Sequence, residues 1–143
     1  MRAKDKISYR SGSHVVLECY KCSREKLEDG TLILNLLKDL PKQLEIGTLR
    51  PPYVFDNNGL SGVVLIEEGH MVIHTFPSKG KAFVDVFSYN AFDSTLLVGQ
   101  ILKAFEAGDH KLELTCQGAE FPHQIKLAGN LKLEEKDRVL THL

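Results

Sequence analysis

The chain has 143 residues, of which 43% are apolar and 26% charged, and these are ordinary values for a globular domain. Its 18 basic and 19 acidic residues give a formal net charge of -1, and the absence of a basic stripe argues against a nucleic-acid partner. No apolar run approaches the roughly 20 residues that cross a bilayer, and the basic N-terminus lacks the apolar segment of a signal peptide. We therefore expect one cytoplasmic domain over residues 1–143, with no membrane partner.

The first predicted elements are a strand and a helix. HVVLECY (14–20) has the β-branched run of a strand. Segment 28–44 predicts a helix that ends near Pro41. IGTLRPPYVF (46–55) is predicted to be extended, and its two prolines confine it to a sheet edge or a bend. The apolar face of the helix is formed by Leu32, Leu34, Leu36, Leu37 and Leu40.

Further strands and a second helix follow. Segment 91–108 predicts a helix that Asp93 or Ser94 caps and Gly108 closes. The predicted strands are SGVVLIEE (61–68), HMVIHTF (70–76), AFVDVFS (82–88) and KLELTCQ (111–117). Neighbouring strands with two separated helices predict an α/β (α+β) two-layer sandwich, with a mainly antiparallel sheet and two helices on one face.

The pattern of elements does not extend over the whole chain. The core is expected at about residues 13–118, and residues 1–12 are expected to be disordered. Residues 119–143 are an uncertain C-terminal extension, with at most a short strand and a frayed helix.

The cysteines, Cys19, Cys22 and Cys116, favour reduced thiols, because their number is odd and no signal segment precedes them. Cys19 and Cys22 form a C-x-x-C pair, but zinc needs two further ligands and the sequence has no second pair. A buried thiol and a loop thiol are favoured over metal or redox chemistry.

Four segments carry a resemblance to a known family: GSHVVLECYKC, the Leu-rich helix, GLSGVVLIEEGHMVIHTFP and KAFVDVFSYN. Over about residues 12–118, and in the same order, they closely resemble the prokaryotic S-adenosylmethionine decarboxylases. In that family a Glu-Ser bond in an SHxSIHTWP segment breaks autocatalytically, and the new N-terminus becomes a pyruvoyl group, the only cofactor. That group forms a Schiff base with the substrate amine and accepts electrons as carbon dioxide leaves. The product supplies aminopropyl groups for spermidine.

The resemblance assigns roles to several residues. Ser61 matches the serine that assists processing, and His74 matches the histidine that donates a proton during the elimination. Phe55 matches an aromatic residue that stacks on the adenine of the ligand, and Phe76 stands where a stacking tryptophan is usual. Glu68 is the residue just before the expected cut. The resemblance also implies a dimer with the ligand near its interface.

Three positions depart from the family pattern. Gly69 occupies the place of the serine that becomes the pyruvoyl group. Tyr89 stands where the catalytic cysteine is expected, and Ser78 replaces a glutamate that would hold the ribose hydroxyls. These changes bear on the cofactor, on turnover and on ligand choice, respectively.

Gly69 also has an ordinary structural interpretation, as a hairpin residue that can take a positive φ. Chemically, glycine has no hydroxyl to attack the preceding carbonyl and no β-carbon from which to eliminate, so we expect no pyruvoyl cofactor. Among the nearby hydroxyls, Ser61, Thr75 and Ser88 are expected in or beside strands, and only Ser78 in a turn, where strain can be stored. Its neighbours do not resemble the cleavage site.

His70 and His74 would share a helix face, but on a strand their Cα atoms are about 13 Å apart, so they are not expected to share a metal ion. For His74, a satisfied strand histidine and a functional one weigh equally. Asp85 lies between apolar residues and is either a wall of the ligand pocket or a solvent-facing strand residue.

Two classes of function remain open. The first is a homologue without its cofactor, which binds S-adenosylmethionine or a related nucleoside or amine, or pairs with an active relative and regulates it. The dimer would then be a homodimer or a heterodimer with that relative. The second is an enzyme, which is either a genuine decarboxylase whose processing site is engineered or compensated, or a protein that uses other groups for different chemistry. His74, Glu67 and Glu68 could then supply acid–base function. A structural dimer with a vestigial pocket is a third possibility.

Overall fold

In the computed structural model, residues 12–56 and 58–117 are described. The strands are β1 (Gly12–Tyr20), β2 (Tyr53–Asp56), β3 (Leu60–Ile66), β4 (Gly69–Phe76), β5 (Lys81–Ser88) and β6 (Asp109–Gln117). The helices are α1 (Arg24–Leu27), α2 (Gly30–Gln43) and α3 (Ser94–Ala104), and Pro77–Lys79 form a 3-10 turn. In this described part of the chain, no helix is long and apolar enough to cross a membrane.

The strands form one sheet in the order β2-β3-β4-β5-β1-β6, and the neighbouring strands pair antiparallel. β3, β4 and β5 follow one another through short turns, whereas β1 inserts between β5 and β6. The Pro-rich segment leads into β2, which is the edge strand that its prolines predict.

One face of the sheet carries the helices and the core. Val84 and Val86 of β5 point to this buried face, while Phe83, Asp85 and Phe87 point to the other, as the alternation in the sequence predicts. The rest of the core comes from the buried residues of the other strands and of α2 and α3. The architecture is the predicted two-layer sandwich, and we call the side without helices the open face.

The helix starts follow the sequence signals. The Asp29 side chain accepts a hydrogen bond from the Leu32 N–H at the start of α2, and Asp93 accepts one from the Leu96 N–H at the start of α3. Each aspartate satisfies a backbone donor that has no partner within the helix. Of the two caps predicted for α3, the structure selects Asp93.

Several details of the prediction were wrong. The short helix α1 was not predicted, and Ile33, absent from the predicted apolar face, is fully buried. Helix α3 ends at Ala104, whereas the Gly108 N–H donates to the Tyr20 carbonyl and so joins α3 to β1. The predictions for residues 1–11 and 119–143 lie outside the described residues, but Gly12 already belongs to β1.

Candidate functional site

The β3–β4 turn contains the predicted cleavage position. Glu68 has a φ of 58°, so the left-handed residue of this turn is Glu68 and not Gly69, as the sequence had suggested. The Glu68 carbonyl accepts a hydrogen bond of 3.0 Å from the Tyr89 N–H. The Glu67 carbonyl accepts one of 3.4 Å from the Ser88 hydroxyl. The turn is thereby fixed to the end of β5.

Gly69 is the first residue of β4 and packs directly on the neighbouring strand. A β-carbon at position 69 would lie 1.8 Å from the Phe87 carbonyl oxygen and 2.8 Å from the Ser88 Cα. Both neighbours are backbone atoms, which a rotamer change cannot move aside. The backbone around Gly69 therefore leaves no room for a serine side chain in this conformation, and a serine is the residue from which the pyruvoyl group would be made.

Ser61 and His74 meet on the open face at the other end of β3 and β4. They are cross-strand partners, and the Ser61 hydroxyl lies 2.8 Å from His74 Nδ1. The hydroxyl can donate to Nδ1 or accept from it, depending on the tautomer of the imidazole. The pair that the resemblance assigns to processing and protonation is thus in hydrogen-bonding contact.

Two aromatic side chains accompany this pair. Phe55 of β2 is opposite Ser61, and its ring is 43% exposed. Phe76 lies two residues after His74 on the same face and is 42% exposed. Both residues are therefore accessible on the open face. Together they can offer flat apolar surfaces to a planar ligand beside the hydroxyl–imidazole pair.

A cleft of about 300 Å³ lies beside Asp56 and Pro77, the chain neighbours of these two residues. Ser78, which by the resemblance replaces a ribose-binding glutamate, lines this cleft. Asp56, which follows Phe55, lies on another wall, and Arg24 lies on a third, where it forms an exposed ion pair of 3.2 Å with Glu28. The cleft is therefore polar and carries both signs of charge.

The candidate residues form two separate groups. The turn end comprises Glu67, Glu68, Gly69, Ser88 and Tyr89, and the cleft end comprises Phe55, Ser61, His74, Phe76 and Ser78. Gly69 and His74 are five residues apart in one strand, so their Cα atoms are separated by about 16 Å. Within one protomer the two ends do not meet.

Asp85 lies midway between the two ends, and its partners are histidines. The Nε2 atoms of His14 and His70 lie 2.9 and 3.2 Å from the same Asp85 oxygen. An ionised carboxylate only accepts, so both imidazoles donate from Nε2. The sequence pattern around His14 does not mark it as a site residue, although its place in β1 opposite Phe87 follows once the strand order is known. His70 and His74 each have a different partner.

A sequence model of the family described as S-adenosylmethionine decarboxylase matches residues 13–116 of this chain. The match spans both ends of the site and every strand that carries them. The chain belongs to the S-adenosylmethionine decarboxylase family.

Individual relatives and one solved structure agree with this assignment. The S-adenosylmethionine decarboxylase proenzyme of Thermodesulfovibrio yellowstonii is 36% identical over 100 residues, which cover 68% of this chain and 74% of the relative. The proenzyme of Syntrophomonas wolfei is 33% identical over 127 residues, or 84% and 97% of the two chains. The crystal structure of the adenosylmethionine decarboxylase from Aquifex aeolicus superposes with a TM-score of 0.68 at 20% identity, covering 83% of this chain and all of that one. The last comparison supports the fold alone.

Proposed function

We propose that this protein is a non-self-processing S-adenosylmethionine decarboxylase homologue that binds S-adenosylmethionine, or a related nucleoside or amine, without decarboxylating it. Its role would lie in spermidine metabolism, where binding by this protein would change the concentration of free ligand. The observation that carries the proposal is the contrast between the two ends of the site. The turn end has a glycine at the cleavage position, with no hydroxyl and no room for a side chain, and the cleft end has a hydroxyl, an imidazole and two aromatic rings.

At the turn end, the support is chemical and steric. Gly69 offers no oxygen to attack the Glu68 carbonyl, and the Phe87 carbonyl occupies the space for a side chain. Tyr89, 42% exposed, is a bulky phenol in the position of the family's cysteine. Loss of the electron sink alone would prevent decarboxylation, whatever acid–base groups remain.

At the cleft end, the support is the retained geometry. The Ser61–His74 hydrogen bond and the exposed Phe55 and Phe76 rings are the features that would hold a nucleoside. Ser78 is shorter than glutamate and uncharged, so it gives a weaker grip on ribose hydroxyls. We therefore expect the affinity for S-adenosylmethionine to be lower than that of a site with a glutamate carboxylate in place of Ser78.

A second copy of the chain would complete the site. A two-fold axis through the middle of the open face, near Val72 and Asp85, would place the turn end of one protomer opposite the cleft end of its partner. The open face carries the apolar side chains that such packing requires, among them Val16, Val72 and Phe83. We therefore propose a dimer with two sites, each formed by the turn end of one protomer and the cleft end of its partner.

The same separation of the ends favours a second candidate function, as the regulatory partner of an active relative. In such a heterodimer the cleft end of this chain would face a functional turn end, so one of the two composite sites would combine a cofactor with the Ser61–His74 pair and the aromatic rings. The genuine decarboxylase with a compensated processing site is disfavoured, because Ser78 lies in the cleft and not at the Glu68–Gly69 turn.

Intact mass and ligand titration test the proposal together. We expect a single species near 16.0 kDa, no carbon dioxide from S-adenosylmethionine, and saturable calorimetric binding of that ligand at submillimolar concentration. Two fragments, one with a keto-acid-blocked N-terminus, would refute the loss of processing. Millimolar or absent binding of S-adenosylmethionine, its decarboxylated form and polyamines would refute the ligand-binding role.

A further inference from the structure

Cys19 and Cys22 flank a tight turn at the end of β1. Cys19 is the penultimate residue of the strand and is 0% exposed, and Cys22 follows the strand in a half-buried position. Lys21 between them has a φ of 54°, in the left-handed region, which folds the chain back on itself. Cys22 packs against the core to which Cys19 belongs, and both thiols are free.

We propose that Cys19 and Cys22 form a reversible dithiol–disulfide site, oxidised by low-molecular-weight disulfides. A disulfide requires side chains that point toward each other across a short Cβ separation. The left-handed turn at Lys21 and the packing of both side chains against the same core bring the two thiols to one side of the chain, so we expect little backbone movement. The sequence alone favoured unconnected thiols, because spacing does not reveal that the turn directs both sulfurs inward.

The reaction proceeds by two exchanges. The Cys22 thiolate, the more accessible of the two, attacks one sulfur of the reagent, breaks its S–S bond and releases one small thiolate, which takes up a proton. The Cys19 thiolate then attacks the Cys22 sulfur of this mixed disulfide and releases the second small thiol. The protein loses two electrons and two protons, and the reagent disulfide is reduced to two thiols.

Burial governs the rate of this exchange. It raises the pKa of the Cys19 thiol to about 12, an effect to which the neighbouring Cys22 adds, and it raises the pKa of Cys22 as well. Because the thiolate is the nucleophile, both steps are slow at neutral pH. Well below the pKa, the reacting fraction rises about tenfold for each pH unit.

The position of the pair connects it to the cleft end. The Cys22 N–H donates a 3.0 Å hydrogen bond to the carbonyl of Gly80, the residue that ends the Pro77–Lys79 turn. Ser78 in this turn and Arg24, two residues after Cys22, line the same cleft. A disulfide between Cys19 and Cys22 would therefore restrict movement where these two segments of the cleft lining meet. This coupling rests on the proposed ligand-binding function, whereas formation of the disulfide does not.

The test uses the Cys116→Ser protein, in which the pair supplies the only thiols. After incubation with oxidised glutathione, the protein is denatured, treated with a maleimide and weighed. We expect a species that has lost two hydrogen atoms and takes up no maleimide, formed about tenfold faster at pH 9 than at pH 8 and reversed by dithiothreitol. The same variant with Cys22→Ala should keep one alkylatable thiol and form no intramolecular bond.

Two results would overturn the proposal. Either two alkylatable thiols persist, or the reaction stops at a glutathione adduct on Cys22. Coupling is tested separately by titrating reduced and oxidised protein with S-adenosylmethionine. We expect at least a threefold difference in affinity, and equal affinities for the two forms would refute the coupling. If neither form binds, the proposed function fails while the disulfide result stands.

Discussion

The turn end and the cleft end lie on the same strands, yet they differ in how much space the backbone leaves for chemistry. At the turn end, main-chain atoms of β5 approach Gly69 so closely that a β-carbon has no room. At the cleft end, Phe55 and Phe76 stay exposed around a hydrogen-bonded Ser61–His74 pair. One hairpin can therefore lose a reaction at one end and keep a binding surface at the other. The two ends can be tested independently.

The largest expected effect concerns processing. Gly69→Ser supplies the missing hydroxyl, but the Phe87 carbonyl lies where its β-carbon must go. We expect this variant and the double variant Gly69→Ser/Tyr89→Cys to remain one polypeptide each. The reason is that β4 and β5 must separate before the serine can reach the Glu68 carbonyl. Mass spectrometry after prolonged incubation checks this. Cleavage at residue 69 in either variant would show that the turn end retains its machinery.

The next effect concerns ligand binding at the cleft end. Phe55→Ala should weaken S-adenosylmethionine binding by about 1–3 kcal/mol, the usual contribution of a stacked aromatic ring to binding a base. That loss corresponds to roughly a 5- to 150-fold rise in Kd. Leu49→Ala is the matched control, since Leu49 is an exposed apolar residue outside the cleft end. Equal affinities of both variants and the parent protein would show that the rings are not a ligand platform.

A smaller effect concerns stability at the turn end. Gly69→Ala should lower the free energy of unfolding by about 1–3 kcal/mol, as expected of a group forced into a filled space. Gly99→Ala is the control: Gly99 lies in α3, and a β-carbon added there would meet no neighbouring side chain or strand within 4 Å. There alanine should stabilise the protein by up to about 1 kcal/mol, because it favours a helix. Urea unfolding measures both. A Gly69→Ala protein as stable as the parent would mean that the close approach relaxes at little cost.

Much of the fold was predictable, because most of its signals are local. Alternation in β5 separated Val84 and Val86 from Phe83 and Phe87, and Asp93 marked the start of α3. For the site, the sequence predicted which residues belong to it but not how they contact one another. The resemblance named Ser61 and His74, but their hydrogen bond follows from the register of β3 and β4, which depends on pairing between strands.

What the sequence could not provide were contacts between distant segments. His14 joins Asp85 across 71 residues, and no local pattern indicates that β1 lies beside β5. The lack of space for a side chain at Gly69 depends on the Phe87 backbone, which belongs to another strand. The positive φ of Glu68 was not predicted, because glycine is the usual residue for that conformation and Gly69 was expected to adopt it. In the turn, Glu68 adopts it instead.

The last effect is negligible at neutral pH and appears only at alkaline pH, near the cleft end, where Cys19 is buried. An unfolded thiol ionises near its ordinary value of 9.0, whereas burial, with a smaller effect of Cys22, raises the pKa of Cys19 in the fold to about 12. Between these values the folded state holds a proton that the unfolded state has released. The stabilisation is therefore complete below pH 9 and is lost as the pH rises toward 12, by up to about 1.4 kcal/mol per pH unit.

Comparison with Cys19→Ala isolates this contribution, since other groups that ionise in the same range, such as Tyr20, are shared by both proteins. Urea unfolding in the presence of a reductant gives the difference in free energy of unfolding between the parent and the variant at each pH. That difference should be constant up to about pH 8 and should shrink steadily above pH 9. A constant difference up to pH 10.5 would mean that the thiol ionises as easily in the fold as in the unfolded chain, and that solvent reaches the end of β1.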